Sequence, residues 1–164
     1  MKTLRNTFLI LVLVAFTTTI SRAHCEIPCG IYHDQIRIDL IKEHIQTIEK
    51  SMMMIEELQQ AENIDYNQLV RWIDNKEVHA NKIQEIVTQY FMTQRIKPVD
   101  PADKEKYDKY MKELTLLHEL LIYSMKAKQS TNQDVIYSLT EKTELFEKSY
   151  FSDKEHDHSH DHKH

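Results

Sequence analysis

The chain has 164 residues, a formal net charge of −5 at pH 7, a single glycine and three prolines. This length supports one domain with a hydrophobic core and is short for two. The net negative charge argues against a protein that holds nucleic acid on a basic surface. Because many of the other residues are good helix formers, the composition favours an all-α fold.

Residues 1–23 have the features of a leader peptide. Lys2 and Arg5 give a positive start, residues 8–16 form an apolar run, and residues 21–23 read Ser-Arg-Ala, a typical cleavage site. A membrane anchor is the alternative, but a span needs about 20 apolar residues and this run is roughly half as long. We therefore expect a leader-processing protease to cleave the chain, leaving no stable membrane span. The mature protein would be periplasmic or secreted, or cytoplasmic if the leader is only a propeptide.

Four stretches of the chain carry apolar residues at spacings of three and four. They span residues 40–58, 69–90, 107–125 and 135–150. Such spacing places one apolar stripe on each helix, which is typical of a bundle. Short connections between long helices predict an antiparallel four-helix bundle that follows an N-terminal metal-binding segment.

Polar residues before these stretches predict where the helices begin. Asn63 or Asp65 can cap the second helix. The Asp100-Pro101 pair is expected to supply the N-cap and the first residue of the third helix. Residues 130–134 contain two overlapping capping-box patterns, which predict the start of the fourth.

Cys25 and Cys29 are the two cysteines of the chain and are separated by three residues. An even number of cysteines in an exported protein usually indicates a disulfide. A bridge over so short a loop, however, constrains the unfolded chain least. From the spacing alone, a disulfide and a metal site are equally supported.

The N-terminus created by cleavage distinguishes these two interpretations. If His24 becomes the first residue, one ion can reach its α-amine, the amide nitrogen of Cys25 and the thiolates of Cys25 and Cys29. Two nitrogens and two sulfurs in a plane suit Ni(II) or Cu(II) rather than tetrahedral Zn(II). The imidazole of His24 remains as a fifth, axial donor. These donors predict a redox-active metal site.

Residues 24–32 read His-Cys-Glu-Ile-Pro-Cys-Gly-Ile-Tyr. The pattern His-Cys-x-x-Pro-Cys-Gly-x-Tyr resembles the nickel hook that opens the mature chain of nickel-containing superoxide dismutases. The similarity includes Arg37-Ile38 and Tyr90-Phe91 and extends over residues 24–150. It implies an enzyme that disproportionates superoxide to dioxygen and hydrogen peroxide through a Ni(III)/Ni(II) cycle. It also implies one nickel per subunit and a homohexamer of four-helix bundles.

The same resemblance implies a role for each residue of the hook. The metal ligands would be His24, Cys25 and Cys29, with the two thiolates in the equatorial plane and the imidazole in the axial position. Pro28 and Gly30 would shape the turn between the thiolates.

Further residues would act around the metal without binding it. Tyr32 would lie behind the hook, where it limits access to the metal and hydrogen-bonds small oxygen species; with His24 it is the candidate catalytic residue. Glu26 stands where the family commonly has Asp. Asp39 resembles an acidic position that orients the axial imidazole, and Tyr90 would approach the site of a neighbouring subunit.

The predicted organisation is a leader at residues 1–23, the bundle at 24–150 and a disordered histidine-rich tail at 151–164. The tail places histidines at every second position from His156 to His164. A nickel-loading tail and a disordered polar tail with weak metal affinity both fit this composition. The alternative function is an exported helical protein that binds or delivers nickel or copper without catalysis.

Overall fold

The computed structural model describes residues 32–157, with side chains to residue 152. The helices of this region are α1, Asp34–Gln60, α2, Tyr66–Glu85, α3, Lys104–Gln129, and α4, Gln133–Asp157. A π-helical segment, Ile86–Arg95, continues α2 directly. The all-α fold predicted from the sequence is therefore confirmed for the described residues. The predicted leader, most of the hook and the end of the tail lie outside them.

The four helices are antiparallel, with α4 returning to lie beside α1. Neighbouring helices in chain order pack together, and α1 also packs against α4. In each pair, residues further along one helix contact residues further back on the other. The contacts are Asp34–Tyr150 and Lys42–Glu147 between α1 and α4, His44–His79 and Ser51–Asn75 between α1 and α2, Lys76–Lys128 and Gln84–Leu121 between α2 and α3, and Lys109–Ser152 and Glu119–Lys142 between α3 and α4. The antiparallel bundle predicted from the apolar spacing is thus observed.

The core lies along the bundle axis and contains one apolar stripe from each helix. Its largest fully buried side chains include Phe91, Phe146, Ile41, Ile48, Met52, Leu117, Leu120 and Leu139. Burying a side chain of this size contributes about 1.5–3 kcal/mol to the free energy of folding. Within residues 32–157, no helix combines the length and apolar character needed to cross a membrane.

The observed helix starts confirm one predicted cap and correct another. Asp65 caps α2, since its side chain accepts a hydrogen bond from the backbone N–H of Gln68 at 3.1 Å. The prediction that Asp100-Pro101 begins α3 was wrong. The backbone N–H of Asp103 donates to the carbonyl of Asp100, so these residues form a turn, and Asp103 is the N-cap. Asp and Pro favour turns as strongly as helix starts, which explains the error.

The start of α4 also differs from the prediction. The side chain of Asn132 accepts a hydrogen bond from the backbone N–H of Asp134 at 2.9 Å. Ser130 instead accepts from the backbone N–H of Asn132 within the preceding turn. The predicted capping boxes are therefore replaced by a simpler asparagine cap.

Helix α4 continues to Asp157, seven residues past the boundary predicted for the bundle. The reason is that residues beyond 150 still find partners. Phe151 packs against the core, and Ser152 accepts a hydrogen bond from Lys109 Nζ at 3.2 Å.

A buried lysine forms hydrogen bonds to backbone carbonyls at the C-terminal end of α3. Lys76 of α2 donates from Nζ to the carbonyls of Lys128 and Ser130, at 2.9 and 3.0 Å. These carbonyls lie where a helix lacks backbone donors of its own. Burial lowers the pKa of Lys76 from its ordinary value. The contact ties α2 to the turn between α3 and α4.

Two histidines meet in the interface between α1 and α2. The Nδ1 atoms of His44 and His79 lie 3.1 Å apart, so one ring donates a hydrogen bond and the other accepts it. Burial lowers the pKa of both rings, and the charge of nearby Lys82 lowers it further, while Glu43 opposes this effect. The folded chain thus favours neutral rings.

This pair predicts that the free energy of unfolding decreases as the pH is lowered below about 6.5, the ordinary histidine pKa. In that range the unfolded chain binds more protons than the folded one, so lowering the pH favours unfolding. Each histidine contributes at most about 1.4 kcal/mol per pH unit. The free energy of unfolding, measured with urea between pH 5 and 8, should show a shallower slope against pH in His79→Gln than in the unsubstituted protein. His118→Gln, at an exposed position of α3, is the matched control and should keep the slope. An unchanged slope in His79→Gln would contradict the prediction.

Candidate functional site

The residue that follows the hook, Tyr32, lies against a group of polar side chains from three elements. Its ring is edge-on to the ring of Tyr90, with centroids 6.1 Å apart. The guanidinium carbon of Arg95 lies 4.2 Å from the centroid of the Tyr32 ring, within the range of a cation–π interaction. Tyr32 is 38% exposed. We call the side chains around it, the buried Asp34 and Tyr90 and the half-buried Arg95 and Tyr150, the Asp34 cluster.

The carboxylate of Asp34 is the centre of this cluster. It is 7% exposed and binds Arg95 with both oxygens, through Nε to Oδ1 and Nη2 to Oδ2, each at 2.9 Å. The hydroxyl of Tyr90 donates to Oδ1 at 2.7 Å, and that of Tyr150 donates to Oδ2 at 3.0 Å. A buried carboxylate is costly unless it is paired and hydrogen-bonded, and here both conditions are met.

The π-helical segment is what brings Tyr90 and Arg95 to the same carboxylate. These residues are five positions apart. In an α-helix of 3.6 residues per turn they would differ in direction by about 140°. The wider turn of a π-helix bonds each residue to the fifth one along, so residues five apart lie on the same side. Short π-helical insertions are frequent at functional sites, so this segment is a candidate part of one.

The electrostatics of the cluster keep its phenols protonated. Burial, together with the hydrogen bond to Asp34, raises the pKa of Tyr90 to about 12. Burial and the charge of Asp34 also raise the pKa of Tyr150 above its ordinary value. Burial tends to lower the pKa of Arg95, but the hydrogen bonds and electrostatic interactions with Asp34 and Tyr150 together outweigh this, so the guanidinium stays charged. The cluster therefore contains one balanced ion pair and two neutral hydroxyl donors at neutral pH.

A second arginine lies over the ring of Tyr90. The guanidinium carbon of Arg37, from the first turn of α1, is 4.9 Å from the centroid of the Tyr90 ring. Tyr90 thus contacts Arg37, Asp34 and Tyr32 at once.

The structure brings some of the predicted site residues together and separates others. Tyr32 and Tyr90 meet within one chain; an approach of Tyr90 to a neighbouring subunit stays a prediction. Asp39 is exposed on α1 and accepts a hydrogen bond from Gln35 Nε2 at 3.0 Å. Its role toward the imidazole of His24 stays a prediction. The remaining predicted site residues, His24, Cys25, Glu26 and Cys29, lie outside the described residues.

Sequence reasoning missed Asp34, Arg95 and Tyr150. Asp34 stands two positions after Tyr32, and its acidic side chain at a helix start reads as an ordinary favourable interaction with the helix dipole. Arg95 likewise stands in the last turn of its segment, where basic residues are common. Each residue has a sufficient local explanation, so nothing in the sequence pointed to their pairing.

A family model described as nickel-containing superoxide dismutase matches residues 19–154. The matched region includes the cysteine motif and every residue of the Asp34 cluster. Neither a curated protein nor a solved structure matches the chain. Within residues 32–157, no three His, Cys, Asp or Glu side chains come together in a group that could hold a metal ion.

Proposed function

We propose, starting from the fact that this chain belongs to the nickel-containing superoxide dismutase family, that it disproportionates superoxide through a Ni(III)/Ni(II) couple held by residues 24–29. The family match extends over well more than half of the chain, so the protein is an oxidoreductase that acts on superoxide. That match carries the proposal. The products would be dioxygen and hydrogen peroxide.

The donors offered by the N-terminal residues fit nickel by their chemistry. After cleavage, His24 would give its α-amine and imidazole, Cys25 its amide nitrogen and thiolate, and Cys29 its thiolate. Mixed nitrogen and thiolate donors are a set that Ni(II) accepts readily. When bound, the nickel would supply the one-electron couple that the reaction needs. One nickel per chain follows from the single motif.

The residues around Tyr32 would control what reaches that site. Among the described residues, the hydroxyl of Tyr32 has no hydrogen-bond partner, whereas those of Tyr90 and Tyr150 donate to Asp34. Tyr32 is also the third residue after Cys29 in the chain. We infer that its hydroxyl forms hydrogen bonds to small oxygen species, while its ring excludes larger anions. Tyr90, which lies edge-on to the Tyr32 ring, and Tyr150 both donate to Asp34, and their raised pKa values make them poor proton donors.

The decisive experiment determines the N-terminus, the nickel content and the superoxide turnover of the mature protein. We expect a chain that starts at His24, contains about one nickel and turns over superoxide only when loaded. A matched form that retains Ala23 lacks the free α-amine of His24 and should bind nickel poorly. Full turnover by that form would contradict the proposed site. Nickel binding without turnover would favour the alternative of a metal-delivery protein.

Other parts of the proposal concern the setting of the enzyme. Assembly as a homohexamer, processing by a leader peptidase and a periplasmic or secreted location stay predictions. The role of the histidine-rich tail can be tested by comparing nickel incorporation in full-length and tail-deleted protein at limiting nickel, where equal loading would argue against a buffering tail.

A further inference from the structure

We propose that Arg95 is a positioning residue for Tyr32: its salt bridge with Asp34 fixes the guanidinium, and the guanidinium in turn fixes the tyrosine ring. This inference rests on the proposed function, since it assigns a role at the same site. It concerns residues far apart in the chain that the fold brings into contact.

The first step is the anchoring of the guanidinium. Arg95 forms two parallel hydrogen bonds to Asp34, and its Nε also lies 3.0 Å from the hydroxyl of Tyr150. The side chain of Arg95 is 22% exposed and that of Asp34 6%. Paired hydrogen bonds between a planar guanidinium and a carboxylate fix orientation as well as distance. The plane of the Arg95 guanidinium is therefore set by Asp34.

The second step is the contact with the tyrosine ring. The guanidinium carbon lies 4.2 Å from the centroid of Tyr32, whereas the Tyr90 ring is 6.1 Å away and edge-on. The arginine is therefore the contact that lies over the ring of Tyr32. Asp34 is only two residues after Tyr32, so Arg95 holds this short segment at two points, one carboxylate and one ring.

The third step is that a lysine cannot replace this arginine. An ammonium group can keep the charge opposite Asp34, but it has no planar face to lie over the ring and cannot form the paired hydrogen bonds. Arg95→Lys should therefore release the Tyr32 ring without leaving a buried carboxylate unpaired. Removing the charge altogether would confound the test, because an unpaired buried carboxylate is strongly destabilising.

The test combines a spectroscopic measurement with a double-mutant cycle. Fluorotyrosine is incorporated throughout the full chain, and the ¹⁹F signal of Tyr32 is identified by its absence in Tyr32→Phe. In Arg95→Lys that signal should shift and narrow as the ring gains freedom. Arg71→Lys, at an exposed position of α2, is the matched control and should leave it unchanged. Asp34→Asn, which weakens the anchor while keeping its shape, should give the same change as Arg95→Lys.

The cycle then measures kcat/KM for superoxide in nickel-loaded wild type, Arg95→Lys, Tyr32→Phe and the double variant. We expect Arg95→Lys to lose about tenfold, since small errors in the placement of a reacting or positioning group cost this much or more. The double variant should be no slower than Tyr32→Phe alone, because the arginine acts through the tyrosine hydroxyl. A purely structural role would lower the rate equally in both backgrounds.

The outcomes separate this inference from the proposed function. An unchanged ¹⁹F signal in both Arg95→Lys and Asp34→Asn would overturn the positioning role, whatever the enzyme activity. Losses of rate that multiply in the double variant would overturn it as well. If the signal shifts but no form of the protein turns over superoxide, the contact stands and the proposed function fails.

Discussion

Replacing Cys29 by serine should abolish nickel-dependent superoxide turnover. The substitution removes one of two thiolates from the proposed donor set and leaves a hydroxyl that binds Ni(II) weakly. Loss of even an indirect partner of a metal ligand typically costs about 10- to 100-fold in affinity or activity. Loss of a thiolate ligand should therefore cost at least about 100-fold. Nickel content and superoxide turnover, measured on the same sample, check this expectation.

The control for this experiment is a sulfur-containing residue remote from the motif in sequence. Met53 is 58% exposed on α1, and Met53→Leu should keep both nickel content and turnover. Cys25→Ser should behave like Cys29→Ser if both thiolates are ligands. Full turnover in either cysteine variant would contradict the proposed metal site.

Phe91→Ala should have the largest effect on stability, about 3–5 kcal/mol in the free energy of unfolding. Phe91 is fully buried and packs edge-on against Tyr90, Phe146 and Tyr150, with centroid distances of 5.1, 4.9 and 5.6 Å. Its removal creates a cavity and also loses these aromatic contacts. For a domain of this size the melting temperature should fall by about 10 °C. Urea unfolding and thermal unfolding both measure the change.

The matched control for this core substitution is an exposed aromatic residue. Tyr137 is 72% exposed on α4, and Tyr137→Ala should change the free energy of unfolding by no more than about 0.5 kcal/mol. Equal destabilisation by the two substitutions would contradict the packing described for Phe91.

The helices could be predicted because each carries its own apolar stripe. Residues such as Ile41, Ile45 and Ile48 repeat at spacings that only a helix places on one face. The ends of the helices were less predictable. Asp65 is a cap and Asp100 is part of a turn, although both are aspartates before an apolar stretch. The difference depends on the backbone conformation of the connecting residues, which the sequence pattern does not specify.

The candidate site, too, was predictable only where its residues lie close together in the sequence. The cysteine motif could be recognised because its donors lie within a few consecutive residues. The salt bridge between Asp34 and Arg95 joins positions 61 residues apart, and no local pattern reports such a pairing. The π-helical segment added a second obstacle, because an analysis based on α-helical spacing assigns Tyr90 and Arg95 to different faces.

The π-helical segment also makes the chain sensitive to insertions and deletions at this point. Residues four apart share a face of an α-helix, as residues five apart do in a π-helix. A relative with one residue fewer between Tyr90 and Arg95 could thus build the same cluster on an ordinary α-helix. A chain of the present length with α-helical geometry at this point could not build the cluster, because Tyr90 and Arg95 would then lie on different faces. Sequence length and helix type are therefore expected to change together in this segment as the family diverges.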